Sequence, residues 1–582
     1  MSISRRSWVV IAALALAVYL ATACPYVVGG DNGEFATLSV TGGVAHPPGF
    51  PSYVLALRLS SILPASSPAH AAALVTALFG ALAVLGVGWA ATVAGASDWA
   101  SGVAAAAFAS SAVLWKLATH AEAFAPAAFL GAVIVGLSLR PPGKHGAGEL
   151  GLLGLVAGLG LSTHTTLVLL LPIGLHGARR ILRAAESKAR ALVAGLAGLA
   201  LGLTPYLHLW YSARTSDPIA AWVWGDLHDA ADVVRHFLRS EYGSTRLGAA
   251  DRAPLSGENL RRFAVASLRD LLGLPIVALA GVAVLPFRND GPSRRNDVLA
   301  LFLAFVTTGP LFVALFNRPM TDVGPLIVER FYLLPFVVLS VLAALGLDAG
   351  ASRPPHPVVA RLAPIAALSA GLFLSAGRVR EYGRPTLENY VSNVLSYLPE
   401  RTVVLGHGDD KFGGYLYARY ALGARPDVAY VSPVLLFSDW YRAREGRRLG
   451  VDLPKPDGGT LHVAEIVDRL LSAGHPVAFA GYVAQGLDRT FPTYPLGPVL
   501  MVVPRGGTVP SPDVLLAMND ALLSRFSLED PPPDSREGWA YLLQADYATP
   551  YLALATAFAA AGRPTEAARC RARAAALAPA PR

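Results

Sequence analysis

The stretch GGDNGEFATLSVTGGVAHPPGFPSYVLALRLSSILP, residues 29–64, decides how the rest of the chain is read. It follows directly on the first apolar run. Asp31 and Glu34 stand three residues apart at the start of a helical pattern, a spacing that puts both carboxylates on one helix face. Twelve residues further on, His46 opens His-Pro-Pro-Gly. Phe35 to Val40 is patterned as a short amphipathic helix, which Pro47, Pro48 and Pro51 end. Val54 to Leu63 is apolar, too short to span a bilayer, and carries Arg58, so it reads as an interfacial helix. The acidic pair has a plain reading, capping a helix whose N-terminus favours negative charge. It also has a functional one. Ionisable groups at a bilayer edge are costly and mark function, and a carboxylate there can take the proton of an acceptor hydroxyl. His46 either braces the proline turn or donates to a phosphate or an acceptor.

That this loop lies at a bilayer edge follows from the remaining sequence. Of 582 residues, 53% are hydrophobic and only 15% charged, against about 25% charged in soluble domains. The composition is that of a polytopic membrane protein with room for further domains. The net charge of +8 is expected at cytoplasmic loop ends and does not call for nucleic acid. Two distant cysteines, Cys24 and Cys570, exclude a disulfide framework and a cysteine-based metal motif. Arg5 and Arg6 before the run Trp8–Leu20 and Ala-Thr-Ala-Cys24 allow a signal peptide, although the spans that follow make a first anchoring helix simpler.

Apolar stretches near the length needed to span recur at 8–28, 70–95, 99–118, 122–140, 149–163, 165–178, 191–212, 264–287, 297–316, 331–349 and 357–376. Residues 149–178 form either two short spans or one long tilted helix. With eleven helices, the basic clusters Arg5/Arg6, Arg140/Lys144, Arg179/Arg180/Arg183/Lys188/Arg190, Arg288/Arg294/Arg295 and Arg353/Arg361 all fall on the cytoplasmic side. The same parity places outside the 29–64 loop, the Thr119–Glu122 and Ser162–His164 turns, the 213–262 loop, the Asn317–Arg330 loop and everything after 377.

Those outer segments hold the other polar motifs. His120, Glu122 and His164 come from different helix ends. Three such groups suffice for a metal, but no ligand motif joins them, and lining a headgroup cavity is the plainer reading. Trp222 and Trp224 flank the turn Gly225-Asp226. They are either interfacial belt residues or a surface for stacking a sugar, and Asp226 is placed to cap a helix running on to Ser240. Glu329 and Arg330 open the tenth span. An arginine at that depth needs an anion, either Glu329 or a lipid phosphate that suits the guanidinium fork.

After 377 the pattern changes to short β-rich runs, TVVLG, DVAYVS, PVAFAG and VLMVVP, separated by helical stretches such as Val463–Ala473. They predict a small extracytoplasmic α/β domain over 378–505, following a transmembrane domain over 1–377. The tail, 506–582, is helical. Gly562, Ala567, Ala574 and Pro579 fit one tetratricopeptide-like repeat, and an Ala-rich hairpin fits equally.

Taken together these residues resemble a known family. It is the bacterial domain-of-unknown-function group of membrane glycosyltransferase-like proteins, whose animal relative is the endoplasmic-reticulum O-mannosyltransferase acting on plexin-type domains. Asp31, Gly33, Glu34 and Phe35 match its first motif, and His46, Pro47, Pro48, Gly49, Phe50 and Pro51 its second. Ala121-Glu122, Ser162 with His164, Pro205-Tyr206, Trp224-Gly225-Asp226, Glu241-Tyr242-Gly243, and Arg330-Phe331-Tyr332 with Pro335 follow in order, so the likeness covers about residues 8–350. Glu241 departs from a more usual Gln, and the C-terminal region varies in the family.

The resemblance implies an α-helical polytopic GT-C glycosyltransferase that takes a sugar, mannose by analogy, from a polyprenyl-phosphate donor with inversion. It implies an acidic residue in the first outer loop. Asp31 is then the base, or the group that positions the acceptor, with Glu34 and His46 shaping the pocket. Arg330, with Arg58, would hold the donor phosphate, and no metal or organic cofactor would be needed. His120, Glu122, His164, Trp224, Asp226 and Glu329 would complete the donor and acceptor sites. The acceptor would be a protein Ser/Thr or a glycan on the extracytoplasmic side of a bacterial inner membrane. Two readings compete. A transporter or flippase for a lipid-linked sugar needs internal repeats and midplane polar groups, and neither is evident. A membrane scaffold with an outer binding domain does not need so many spans with polar motifs on one face.

Overall fold

The computed structural model describes residues 6–143, 146–217, 220–242, 257–285, 292–351, 355–481, 490–529 and 538–578. Arg5, Lys144, Arg288 and Arg353 of the basic clusters, and Gly243 of the Glu-Tyr-Gly motif, lie outside them. The chain forms two compact units, Met1–Pro25 with Leu38–Gly383, and Tyr26–Thr37 with Arg384–Arg582. These units cut across the expected 1–377, 378–505 and 506–582. The tail joins the α/β region in one unit, and a short piece of the first outer loop joins them both.

The first unit is a helical bundle. Every apolar stretch expected to span contains helix. Six described helices are long and apolar enough to cross a membrane, two further pairs reach that length with a sharp bend, and Ser7–Ala21, Phe124–Leu139 and Ala147–Thr163 are shorter apolar helices. Residues 149–178 belong to two helices, Ala147–Thr163 and Thr165–Ala184, broken at His164. The bends have local causes. Asp98–Ser110 and Ala112–Ala118 meet at 64°, where Ser111 is extended and its hydroxyl caps the second helix through Leu114 N. Gly257–Asp270 and Leu274–Val284 meet at 101°. There Leu272 and Gly273 adopt positive φ, and Pro275 sits in the first turn of the new helix.

Burial separates core helices from lipid-facing ones. The apolar windows of Gly324–Gly350 and Pro68–Val93 are 83% and 72% buried, that of Lys188–Thr215 only 17%. Lipid tails give helices no hydrophobic reason to associate, so close approach of small residues must hold them together. Ala147–Thr163 and Lys188–Gly202 meet in this way. A Cβ on Gly154 would lie 2.1 Å from Gly195 O, and one on Gly198 the same distance from Gly151 O. Leu192, Val193, Leu196 and Leu201 of the second helix point outward. The segment expected to lie at the interface is Pro51–Leu57 followed by Arg58–Ile62. It buries Tyr53, Val54 and Leu57 and exposes Leu55, Leu59 and Ile62.

The second unit holds one five-stranded sheet. Its strands are β1 Val403–Gly406, β2 Ala429–Val431, β3 Val477–Ala480, β4 Thr493–Leu496 and β5 Val499–Val502. The order is β2-β1-β3-β5-β4. β2, β1 and β3 are parallel, with Val403 opposite both Ala429 and Val477, and β5 and β4 close the sheet antiparallel. The parallel strands are buried apolar runs, as strands covered on both faces require. The tail ends in a helical hairpin, Thr549–Ala560 and Pro564–Leu577, turning at Gly562 with φ +71°.

Candidate active site

The residues singled out by sequence divide between the two units. Asp31 and Glu34 belong to the second. The helix they open is Asn32–Thr41, longer than the expected Phe35–Val40. Asp31 directly precedes it, half-buried, and its carbonyl accepts from Phe35 N at 3.0 Å. Glu34 sits in the first turn, buried. Asn32 Oδ1 accepts from Val28 N at 2.9 Å and closes the turn ahead of the helix.

All other candidates lie in the first unit, and most of them join one connected set. The Trp222–Trp224 segment runs alongside Val44. Val44 N donates to Trp222 O at 3.1 Å and Trp224 N to Val44 O at 3.0 Å. Gly43 permits this approach. It has φ +87°, and a Cβ there would stand 2.0 Å from Trp222 O. The pairing brings Trp224 to His46, ring centroids 5.9 Å apart, and His46 to Phe50 at 5.0 Å. Phe50 meets His164 at 5.5 Å, and His164 meets Phe124 at 4.7 Å. The Arg330 guanidinium lies 5.4 Å from the centre of the Phe124 ring and 3.7 Å from the buried Glu122 carboxylate. Trp224 Nε1 also donates to Glu241 Oε2 at 3.1 Å, so the departure at Glu241 keeps an acceptor where the family more often has an amide.

Arg330 stands at a narrow cleft lined by Phe124, Thr166, Thr308, Phe312, Phe331 and Leu334 among others. Its wall is mostly apolar and carries one guanidinium and two hydroxyls.

Two sequence expectations, the partner of Arg330 and the cap at Asp226, are corrected by the geometry. Glu329 is not Arg330's partner. It pairs with the buried Lys116 ammonium, with Arg269 at 3.8 Å, and Glu122 takes the place beside Arg330. Asp226 does not cap the following helix, which is Ala230–Phe237 and stops short of Ser240. Asp229 caps it, in a reciprocal box with Asp232, while exposed Asp226 pairs with His228 at 2.9 Å. Arg58 Nη1 donates to Val40 O at 2.5 Å and Ser39 O at 3.4 Å. A cation on the last carbonyls of the Asn32–Thr41 helix is a C-terminal cap. His164 Nδ1 accepts from Thr166 N at 3.3 Å and from its hydroxyl at 2.8 Å, so it caps the helix after the break. His120 is buried, with Nδ1 donating to Lys116 O at 2.7 Å. Among the described residues no three His, Cys, Asp or Glu side chains group as metal ligands.

Sequence reading missed Lys116 and His236. Lys116 was legible as a lone lysine inside an apolar run. His236 is in the outer loop, and burial pushes its pKa down to about 4. The neutral ring donates from Nε2 to Ala45 O at 3.0 Å and braces the His46 turn.

This architecture is a GT-C-like membrane fold. ArnT from Cupriavidus metallidurans, solved bound to undecaprenyl phosphate, superposes with a TM-score of 0.54 at 14% identity, over 86% of this chain and 99% of that one. Its apo state gives 0.55 at 12%, over the same shares. At such identity the likeness concerns the fold alone. Within that class the relatives are specific. Residues 31–177 match the family described as "Protein O-mannosyl-transferase TMEM260 N-terminal domain". The Protein O-mannosyl-transferase TMEM260 of Mus musculus is 29% identical over 471 residues, 77% of this chain and 66% of the relative. That of Dictyostelium discoideum is 23% identical over 474 residues, 73% and 57% respectively. The chain is thus similar to these O-mannosyltransferases, and its match spans somewhat under two thirds of their length.

Proposed function

We propose that this protein is an inverting GT-C glycosyltransferase. It moves a sugar, mannose by analogy with the relatives, from a polyprenyl-phosphate donor to a hydroxyl of a protein or glycan outside a bacterial inner membrane. The observation that carries this reading is Arg330, set in an apolar-walled cleft and joined through Phe124 and His164 to the His46 turn. Asp31 takes the acceptor's proton as that oxygen attacks the anomeric carbon. The bond from that carbon to the phosphate oxygen breaks, and the phosphate leaves with the electron pair. Arg330 neutralises the charge that builds there, so a monophosphate leaves without metal help. Glu34 is the second candidate carboxylate, His46 contributes to donor or acceptor binding, and Trp224 offers its ring to a sugar. Arg58, engaged with backbone carbonyls, is left out of the phosphate-holding set.

The test is turnover by purified protein of radiolabelled undecaprenyl-phosphate mannose, with solubilised surface protein and glycolipid as acceptors, in buffer containing EDTA. Label transferred to either acceptor fraction is the expected result. Donor carried across vesicle membranes without consumption would replace the transferase with the transporter reading.

The second unit is proposed to face the cell exterior. Cys24 and Cys570 are both buried, so a single exposed cysteine reports its side against little background. Lys455→Cys, at a side chain 77% exposed, should react with a membrane-impermeant maleimide in cells with a permeabilised outer layer. Reaction only after lysis would reverse the orientation.

A further inference from the structure

The second unit contains Tyr26–Thr37, the start of the first outer loop with the three residues before it, and with them Asp31. Three of the unit's C-terminal helices hold that segment. From Thr386–Tyr397, Glu388 accepts the Val27 N–H at 3.1 Å. Against Asp409–Leu416, Gly33 lies so close that a Cβ on it would stand 2.4 Å from both the carbonyl carbon and the oxygen of Gly413. Against Trp539–Asp546, a Cβ on Gly29 would fall 2.1 Å from the Trp539 ring. Two of the three helices are tied together, because Lys411 Nζ pairs with Asp546 Oδ2 at 3.1 Å and lies over the Tyr390 ring of the third at 5.5 Å. All these groups are buried or nearly so, and a buried ion pair is strongly destabilising to break from one side.

The spacing gives this packing its meaning. Gly29 and Gly33 stand on either side of Asp31, each at a point where only a hydrogen fits. A surface loop tethered for stability alone has no need of two side-chain-free contacts bracketing one half-buried carboxylate.

We propose that the C-terminal unit is a positioning cradle for Asp31. Its Gly413 backbone, Trp539 ring and Lys411–Asp546 pair fix where the carboxylate stands. This rests on the transferase reading above and gives the region after 384 a part in the same reaction, where it would otherwise be a separate acceptor-binding module. The residues that act here do so through Asp31. They touch neither donor nor acceptor.

The experiment reads position and turnover separately in the full-length protein. Hydrogen exchange is followed over residues 26–37, and kcat and donor KM are measured with radiolabelled undecaprenyl-phosphate mannose. In Gly29→Ala the methyl collides with the Trp539 ring. Exchange over 26–37 should rise, and kcat should fall about 100-fold, the cost of a displacement near 1 Å, with donor KM little changed. In Gly29→Ala/Trp539→Leu the smaller side chain leaves room, and both exchange and kcat should return most of the way. A general folding defect would not be mended by removing a buried aromatic ring. Lys411→Met adds no collision, and it should loosen the segment and lower kcat in the same direction. Gly29→Ala with unchanged exchange, a lowered kcat with the segment still protected, or a double variant no better than the single one would each overturn the cradle. If the unsubstituted protein transfers no sugar, the transferase reading fails, and the exchange arm still decides whether these helices hold the segment.

Discussion

Asp31→Asn should lower kcat by about 10²–10⁴-fold, the range over which positioned acid–base groups act, with donor KM and thermal stability close to those of the parent. The substitution separates the two readings of the Asp31–Glu34 pair. Asn and Asp cap helices about equally well, and Asn keeps the backbone carbonyl that accepts from Phe35 N. If Asp31 only helps to start the Asn32–Thr41 helix, Asn replaces it without loss. If its carboxylate takes the acceptor's proton, Asn has no basic oxygen to offer. Glu34→Gln is the companion variant. Glu34 is 6% exposed and sits in the first turn, where its charge also favours the helix dipole, an effect worth about 0.3–1 kcal/mol. The expected consequence there is a modest loss of stability and a smaller fall in rate. Near-normal kcat in Asp31→Asn with a collapse in Glu34→Gln would exchange the two roles.

What the sequence made legible depended on how far apart the interacting residues lie. Apolar stretches near 20 residues announce helices locally, and each such stretch contains helix among the described residues. The break at Leu272–Gly273 fell inside the stretch 264–287, which was read as one span, although its causes are local, a glycine at positive φ and a proline just inside the next helix. The third to fifth strands show the next level. The runs that became β3 and β5 were seen as strands, while β4, Thr493–Leu496, was not, because Pro495 argues against a strand interior. It is tolerated because β4 is an edge strand in the order β2-β1-β3-β5-β4. Ion-pair partners lie beyond any local pattern. Glu329 and Arg330 are neighbours in sequence, yet Glu329 turns to Lys116, 213 residues away, and Arg330 to Glu122. The grip of Gly413 and Trp539 on the first outer loop was equally hidden. A glycine in Asp-x-Gly-Glu says that something approaches closely and does not say what.

Arg330 gives the other large expected effect, sharpened by the geometry around it. The guanidinium lies 3.7 Å from Glu122, over the Phe124 face, in the apolar cleft. Were it only the counter-ion of Glu122, Arg330→Lys would serve nearly as well, since a point charge still pairs at that separation. A guanidinium that clamps a phosphate through two parallel hydrogen bonds is not replaced by an ammonium. Losing one charge-assisted hydrogen bond costs about 1.5–3 kcal/mol, so donor KM should rise about ten- to a hundredfold in Arg330→Lys, with the acceptor's apparent affinity unchanged. Arg330→Ala should lose both donor binding and stability, because it removes the cation beside a buried carboxylate. Glu329→Gln is the control that the corrected pairing supplies. It takes the counter-charge from buried Lys116 and leaves Arg330 and Glu122 in place. It should cost about 3–5 kcal/mol of stability, as breaking a buried pair from one side does, with donor KM as in the parent. Donor titrations and thermal unfolding of the three variants decide the matter. A normal donor KM in Arg330→Lys would return Arg330 to a structural ion pair, and the donor phosphate would need another cation.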